Sequence, residues 1–152
     1  MISQAHLGAQ SLSPDIASLV LLLEQAGIPT DKQTAIGSRV TVVTIAAESW
    51  AQAAEVAAAN RVRWCAVWGE HRPPEIHIFA TLAGRNGHLV LQTMISDRHG
   101  ELPSQTPFYP AANRPERYLR DMFGVRFFDH PDPRRWIRHQ AWREDQYPLL
   151  KT

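Results

Sequence analysis

Cysteine is almost missing from this 152-residue chain, with Cys65 the single one. One thiol makes no intramolecular disulfide and falls short of the four thiolates that hold an iron–sulfur cluster or a Cys-rich zinc site. The expectation is a chain that carries no such cofactor by itself. An excess of charge is lacking as well, because 16 basic residues face 15 acidic ones for a formal +1. So small a net charge gives no global pull toward nucleic acid or an anionic membrane. Long apolar runs are also lacking. The longest, residues 16–23, is interrupted by Ser18 and is far shorter than the roughly 18 residues of a membrane helix. The first basic residue is Lys32, so the start has no positive signal-peptide region, and cytoplasmic residence is the expectation. The sequence has no Gly-x-Ser-x-Gly elbow, no phosphate loop ending in Gly-Lys-Ser/Thr, no Gly-x-Gly-x-x-Gly and no His-Glu-x-x-His, which removes the usual signatures of four enzyme classes.

What is present suits one packed domain, since 44% of the residues are hydrophobic. Ser13-Pro14 before Ile16, Leu19, Val20 and Leu23 predicts a helix with a serine N-cap, stopped at Gly27 and Pro29. Residues 39–45 are rich in Val, Ile and Thr and read as a strand. Ser49 with Gln52 forms a capping-box pattern ahead of an alanine-rich helix that ends at Ala59. Residues 62–68 alternate, which places Val62, Trp64, Ala66 and Trp68 on one face and predicts a buried, inert Cys65 between tryptophans. After a turn over residues 69–74, Ile76, Ile78, Ala80 and Leu82 alternate as a second strand. Asn86-Gly87 predicts a type I′ hairpin, and Leu89, Leu91, Thr93 and Ile95 continue as its other arm. The three successive strands form an antiparallel meander. The fold class is α+β in two layers: a mixed or antiparallel sheet of about four strands, helices on one face, and an extended proline-rich C-terminal arm.

Seven of the 11 prolines lie in the last 50 residues. One short helix is expected there, started by Asn113 with Glu116, carrying the stripe Tyr118, Leu119, Met122 and Phe123, and stopped by Gly124. Glu116 with Arg120, and Arg117 with Asp121, are spaced for ion pairs along its surface, worth about 0.2–0.5 kcal/mol each. From Asn113 onward nine basic residues outnumber six acidic ones. Trp136, Ile137, Trp142 and Leu149 lack periodic apolar neighbours and must be buried somewhere, either on a partner or back on the protein's own sheet. The same arginines and aromatics also suit a small nucleic-acid-binding module, although the six acids dilute its field. Glu70-His71, Glu75 with His77, and Asp129-His130 with Asp132 are candidate metal or proton-relay groups, for which solvated polar surface and turn residues are the simpler reading.

The spelling of the last third is specific. Leu102-Pro103-Ser104-Gln105-Thr106, Glu116-Arg117, Arg120-Asp121-Met122-Phe123-Gly124-Val125, His130-Pro131-Asp132, Arg134-Arg135, Trp142 and Tyr147-Pro148-Leu149 occur in order. This string resembles the thirty-kilodalton subunit of respiratory complex I, the NADH dehydrogenase. The same module forms the N-terminal domain of the large subunit in nickel–iron hydrogenases of the formate hydrogenlyase and hydrogenase-4 type, and Pro110-Ala111-Ala112 and Arg120-Asp121-Met122 look more like that branch. Tyr118 stands where the family usually has a second glutamate, and Leu150-Lys151-Thr152 where it usually has Arg-Lys-Asp.

The resemblance implies a non-catalytic scaffold with no cofactor or metal of its own. Residues 1–128 would be the domain and 129–152 a partner-binding arm. The partners implied are a large subunit, 49 kDa-like or of the hydrogenase type, and a neighbouring iron–sulfur subunit. No nucleic acid is implied, and the membrane is met only indirectly through the complex. Glu116, Arg117, Asp121, Phe123, Gly124, His130, Asp132, Arg134, Arg135, Trp142 and Tyr147 are the signature residues through which the neighbour would be gripped.

Overall fold

A computed structural model describes residues 13–151 of the chain. Residues 1–12, and Thr152 at the end of the expected arm, lie outside the described residues. The chain order is α1 (Ile16–Gln25), β1 (Asp31–Ile36), β2 (Val40–Thr44), α2 (Trp50–Ala59), β3 (Arg63–Arg72), β4 (Glu75–Gly84), β5 (Gly87–Ser96), β6 (Glu101–Pro103), α3 (Asn113–Phe123) and β7 (Arg126–Phe128). Five strands form the main sheet in the order β1-β2-β5-β4-β3, and β6 pairs with β7 in a separate two-stranded sheet. The expected meander is present, with β3 antiparallel to β4 from the pair Arg72 and Glu75, and β4 antiparallel to β5 up to the pair Gly84 and Gly87. β2 joins β5 in parallel, which makes the sheet mixed.

The α+β class holds, with five strands in the main sheet where about four were expected. The additional strand, β1, is exposed along its whole length and begins Asp-Lys-Gln, so it shows none of the apolar alternation by which strands are recognised. Its polar side chains suit an edge, where the outer row of backbone groups meets water. Ile76, Ile78, Ala80 and Leu82 from β4, with Leu89, Leu91 and Ile95 from β5, are buried on the face that the helices cover. α2 sends Ala53, Ala54 and Ala57 into this layer. Alanine's short side chain lets the helix axis approach closely without a void.

Several local expectations are corrected. The N-cap of α1 is Asp15, whose carboxylate accepts from the Ser18 amide at 2.8 Å; Ser13 instead donates to the Arg61 carbonyl. Ser49 makes no side-chain cap, and Gln52 donates across to the Ala26 carbonyl. In β3 the register shifts between Trp64 and Ala66, and the irregularity reverses the faces that follow. Val67 therefore points inward, Trp68 outward onto Phe79 with ring centroids 5.3 Å apart, and Cys65 is exposed rather than buried. β3 continues to Arg72, so the turn contracts to Pro73-Pro74. The β4–β5 turn consists of Arg85 and Asn86, one residue earlier than the Asn-Gly pair suggested, and neither residue has positive φ. Asn86 uses its side-chain oxygen to accept from the Ile16 amide.

α3 reaches the sheet at Gly69. A Cβ built there would lie 3.0 Å from a Leu119 methyl carbon and 3.3 Å from the Phe123 ring, so the missing side chain sets how closely α3 approaches β3. A Gly69→Val substitution is expected to lower unfolding free energy by about 1–3 kcal/mol through overpacking, measurable by urea denaturation.

Candidate functional site

α3 buries charge. Along with Leu119, Met122 and Phe123 its covered face holds Glu116, Arg117 and Asp121. Ionised side chains survive away from water only when paired and hydrogen-bonded, and each of these three finds its shortest contacts outside the helix. The expected pairs along the helix surface, Glu116 with Arg120 and Arg117 with Asp121, do not form.

Asn113 does not cap the helix. It already lies within α3, after a short 3-10 turn over Pro110–Ala112, and its side-chain oxygen accepts from Arg117. Glu116 turns instead to the loop after β6. Its carboxylate accepts from Ser104 Oγ at 2.5 Å, the Gln105 amide at 2.7 Å and Thr106 Oγ1 at 2.8 Å. Burial pushes the Glu116 carboxyl above its ordinary value, and these donors, with His130 nearby, offset that only in part. Gln105 extends the tie, accepting from Trp64 Nε1 and donating to the Trp50 carbonyl.

Arg117 and Asp121 shape the chain beyond β7. Arg117 donates to the carbonyls of Arg134 at 2.7 Å and Arg135 at 2.8 Å, and meets the Asp132 carboxylate at 3.0 Å. One oxygen of Asp121 accepts from three successive amides, Trp136 and Ile137 at 2.7 Å and Arg138 at 3.0 Å. Burial pushes this carboxyl up, but the amides of Ile137, Arg138 and Trp136 outweigh it and hold the group below its ordinary value. Asp132 is held low chiefly by hydrogen bonds from the Arg134 side chain and amide. Gly124 ends α3 with φ +76°, and a Cβ there would stand 2.9 Å from the Tyr147 ring. The glycine is needed twice, for its left-handed backbone and for the space the ring occupies.

After β7 the described residues form turns and irregular backbone without helix or strand, and the segment follows α3 back to the sheet. The Leu149 amide donates to the Met122 carbonyl, and the Lys151 amide to Nδ1 of buried His71. His71 Nε2 lies 3.0 Å from Asp97. His130 accepts from the Asp132 amide through Nδ1 and faces the Asn113 carbonyl through Nε2, so neither ring nitrogen is free for a metal.

The signature residues thus divide by depth. Glu116, Arg117, Asp121 and Phe123 are buried in their own chain; Gly124, His130, Asp132, Arg135 and Tyr147 are half-buried; Arg134 and Trp142 are exposed. Arg138 was missed by the sequence reading. It is buried, lies 4.8 Å over the Tyr147 ring and donates to the carbonyls of Gln146 and Glu144. No periodicity links residue 138 to these partners, so spacing gave no signal for it. What the framework presents outward is apolar: Trp136, Ile137, Trp142 and Leu149 each leave 41–48% of their surface open. Trp136 is backed by the guanidiniums of Arg114 and Arg117, 4.8 and 5.3 Å from its ring centroid.

An α+β domain with a charge-pinned C-terminal segment and a linked signature along α3 defines the class of protein. The model of the respiratory-chain NADH dehydrogenase 30 Kd subunit family matches residues 43–152, and the chain belongs to that family. Hydrogenase-4 component G of Escherichia coli is 40% identical over 63 residues, covering 41% of this chain and 11% of that protein. The NADH-quinone oxidoreductase C/D polypeptide of Photorhabdus laumondii is 39% identical over 67 residues, covering 44% of this chain and 11% of its own length. The chain thus spans about a tenth of either relative. Among solved structures, a chain of the membrane-bound sulfane sulfur reductase, an archaeal respiratory membrane complex, has the same fold. Its TM-score is 0.68 at 21% identity, covering 82% of this chain and 77% of that one.

Asp121→Ala is expected to cost about 2–4 kcal/mol, because three successive amides, that of Arg138 buried, lose a charged acceptor. Hydrogen exchange should rise at Trp136, Ile137 and Arg138 before it rises in the sheet. Since Asp121 and Asp132 are held below their ordinary values, their contribution is complete above about pH 4 and is lost as pH falls through the lowered values. Protection of these amides should therefore collapse on acidification below pH 4, and far less so in Asp121→Asn.

Proposed function

We propose that the chain is a non-catalytic scaffold module of a complex I-like or energy-converting nickel–iron hydrogenase assembly. It docks on the large subunit, 49 kDa-like or hydrogenase-type, and on a neighbouring iron–sulfur subunit through residues 129–152. The observation that carries this reading is a set of open apolar side chains on ordered backbone: Trp136 and Ile137 follow the carbonyls taken by Arg117 and give their amides to Asp121, the Trp142 amide donates to the His139 carbonyl, and the Leu149 amide to the Met122 carbonyl. A segment ordered before it binds loses little conformational entropy on docking, and tryptophan with arginine is the composition of binding hot spots. The family relatives named above, one a hydrogenase component and one an NADH-quinone oxidoreductase polypeptide, support an assembly of this kind. Redox chemistry then belongs to other polypeptides. No helix among the described residues is long and apolar enough to cross a membrane, in keeping with a place at the cytoplasmic periphery of the inner membrane.

In this reading the buried signature residues act indirectly, by fixing the course of the segment, while Trp142 and Arg134 meet the neighbour. The nucleic-acid reading has less support. Arg117 and Arg138 are spent on backbone carbonyls, and Arg134, Arg135 and Arg143 lie against Asp132, Glu144 and Asp145. Co-expression with the neighbouring large subunit tests the proposal: a Trp142→Ala/Leu149→Ala variant, altered only at exposed positions, should fold normally yet lose at least about tenfold in affinity. Undiminished co-purification would remove the segment as the docking surface.

A further inference from the structure

The end of the sheet where Gly84 faces Gly87 carries a feature that scaffolding does not use. Arg63, Ala83 and His88 lie side by side across β3, β4 and β5 on the face turned away from the helices. Ala83, Gly84 and Gly87 have little or no side chain, while Arg63, Arg85, Arg39 and His88 around them are long. The resulting cleft holds about 440 Å³. A second recess of about 370 Å³ shares Arg63, Arg85, Ala83 and Gly84 and extends toward Ser13.

The cleft's charge is not compensated. Arg85 lies 3.4 Å from Asp15, but Arg39 and Arg63 have no carboxylate within 4.0 Å among the described residues. Residues 1–12 contain no Asp or Glu that could supply one. The contrast with the recess beside α3 is sharp: there Arg120, Arg135 and Arg138 share the lining with Asp121 and Glu144. The backbone that carries the side chains of the open cleft is fixed in place. The Arg85 amide donates to the Pro14 carbonyl at 3.0 Å, the Ile16 amide to Asn86 at 2.9 Å, and the His88 amide to the Arg39 carbonyl at 2.8 Å. A Cβ at Gly87 would fall 2.2 Å from the Arg39 carbonyl oxygen, so β2 and the hairpin meet without slack.

We propose that this cleft is a binding site for a phosphate-bearing anion. The guanidinium fork matches the oxygens of a phosphate two at a time, and only Lys32 and Lys151 among the 16 basic residues are not arginine. Two unpaired guanidiniums, with a third shared by Asp15, call for a ligand of more than one negative charge. A volume of about 440 Å³ admits a diphosphate or the headgroup of an anionic phospholipid, where a lone carboxylate would leave most of the space to water. The Asn86 amide and the His88 ring supply further polar contacts at the rim.

The full chain, labelled with ¹⁵N, is titrated with pyrophosphate at low salt and with sulfate at matched ionic strength. Saturable shifts confined to Arg39, Arg63 and residues 83–88, stronger for pyrophosphate, are expected for a free phosphate ligand. Arg39→Gln/Arg63→Gln, altered at two exposed positions, should weaken that binding at least about tenfold. In a second arm the chain is sedimented with phosphatidylcholine vesicles with and without phosphatidylglycerol. Retention that requires phosphatidylglycerol and is lost in the double variant assigns the site to a lipid headgroup. Equal response to sulfate and pyrophosphate without vesicle binding, no response to either pyrophosphate or phosphatidylglycerol, or binding unchanged in the variant overturns the proposal.

Discussion

One carboxylate governs the last third of the molecule. Asp121 collects three successive amides on a single oxygen, an arrangement that a helix N-terminus would present but that here belongs to irregular chain. Backbone without helix or strand has amides that must otherwise find water, and a segment relying on water for them would not keep one course. With Arg117 taking two carbonyls a few residues earlier, α3 acts as a template on which the following residues are laid. The cost is the desolvation of an acid and a base, which only complete hydrogen bonding makes tolerable. Removing either group leaves its own partners stranded.

Glu116 performs the same service on the other side of the helix. It draws the Ser104–Thr106 loop inward, and Gln105 passes the connection to Trp50 and Trp64. α3 is therefore joined to α2, to β3 and to its own C-terminal continuation by polar contacts at fixed distances, while Leu119 and Phe123 seat it on Gly69. Hydrophobic burial decides that the helix lies on the sheet, and the directional contacts decide its rotation and what it holds.

The sheet was largely legible because alternation is a direct image of a surface with one covered face. The strands that departed from the reading did so for local reasons. β1 is exposed throughout and polar over its first four residues, and the irregularity after Trp64 changes which face Trp68 and Cys65 occupy without leaving any mark in composition. The α3 region was legible in its spelling and not in its geometry. Charges four apart on a helix ordinarily meet over its solvent face. That rule fails where the face is buried, because each charge is then claimed by a donor or acceptor from a distant part of the chain. Arg138, which lies on no helix, is illegible for a related reason, since the fold brings the Glu144 and Gln146 carbonyls and the Tyr147 ring to it.

The parallel contact of β2 with β5 also carries a kinetic meaning. Val42 pairs with Val90 across 48 positions of chain, whereas the β4–β5 hairpin closes over two residues. Closing so wide a loop costs entropy that a single strand contact repays slowly, so order spreads from the short-range hairpins outward. On that ground the β1–β2 ribbon joins the sheet after the β3–β4–β5 meander, and its arrival closes the core by bringing in Val43 and Ile45.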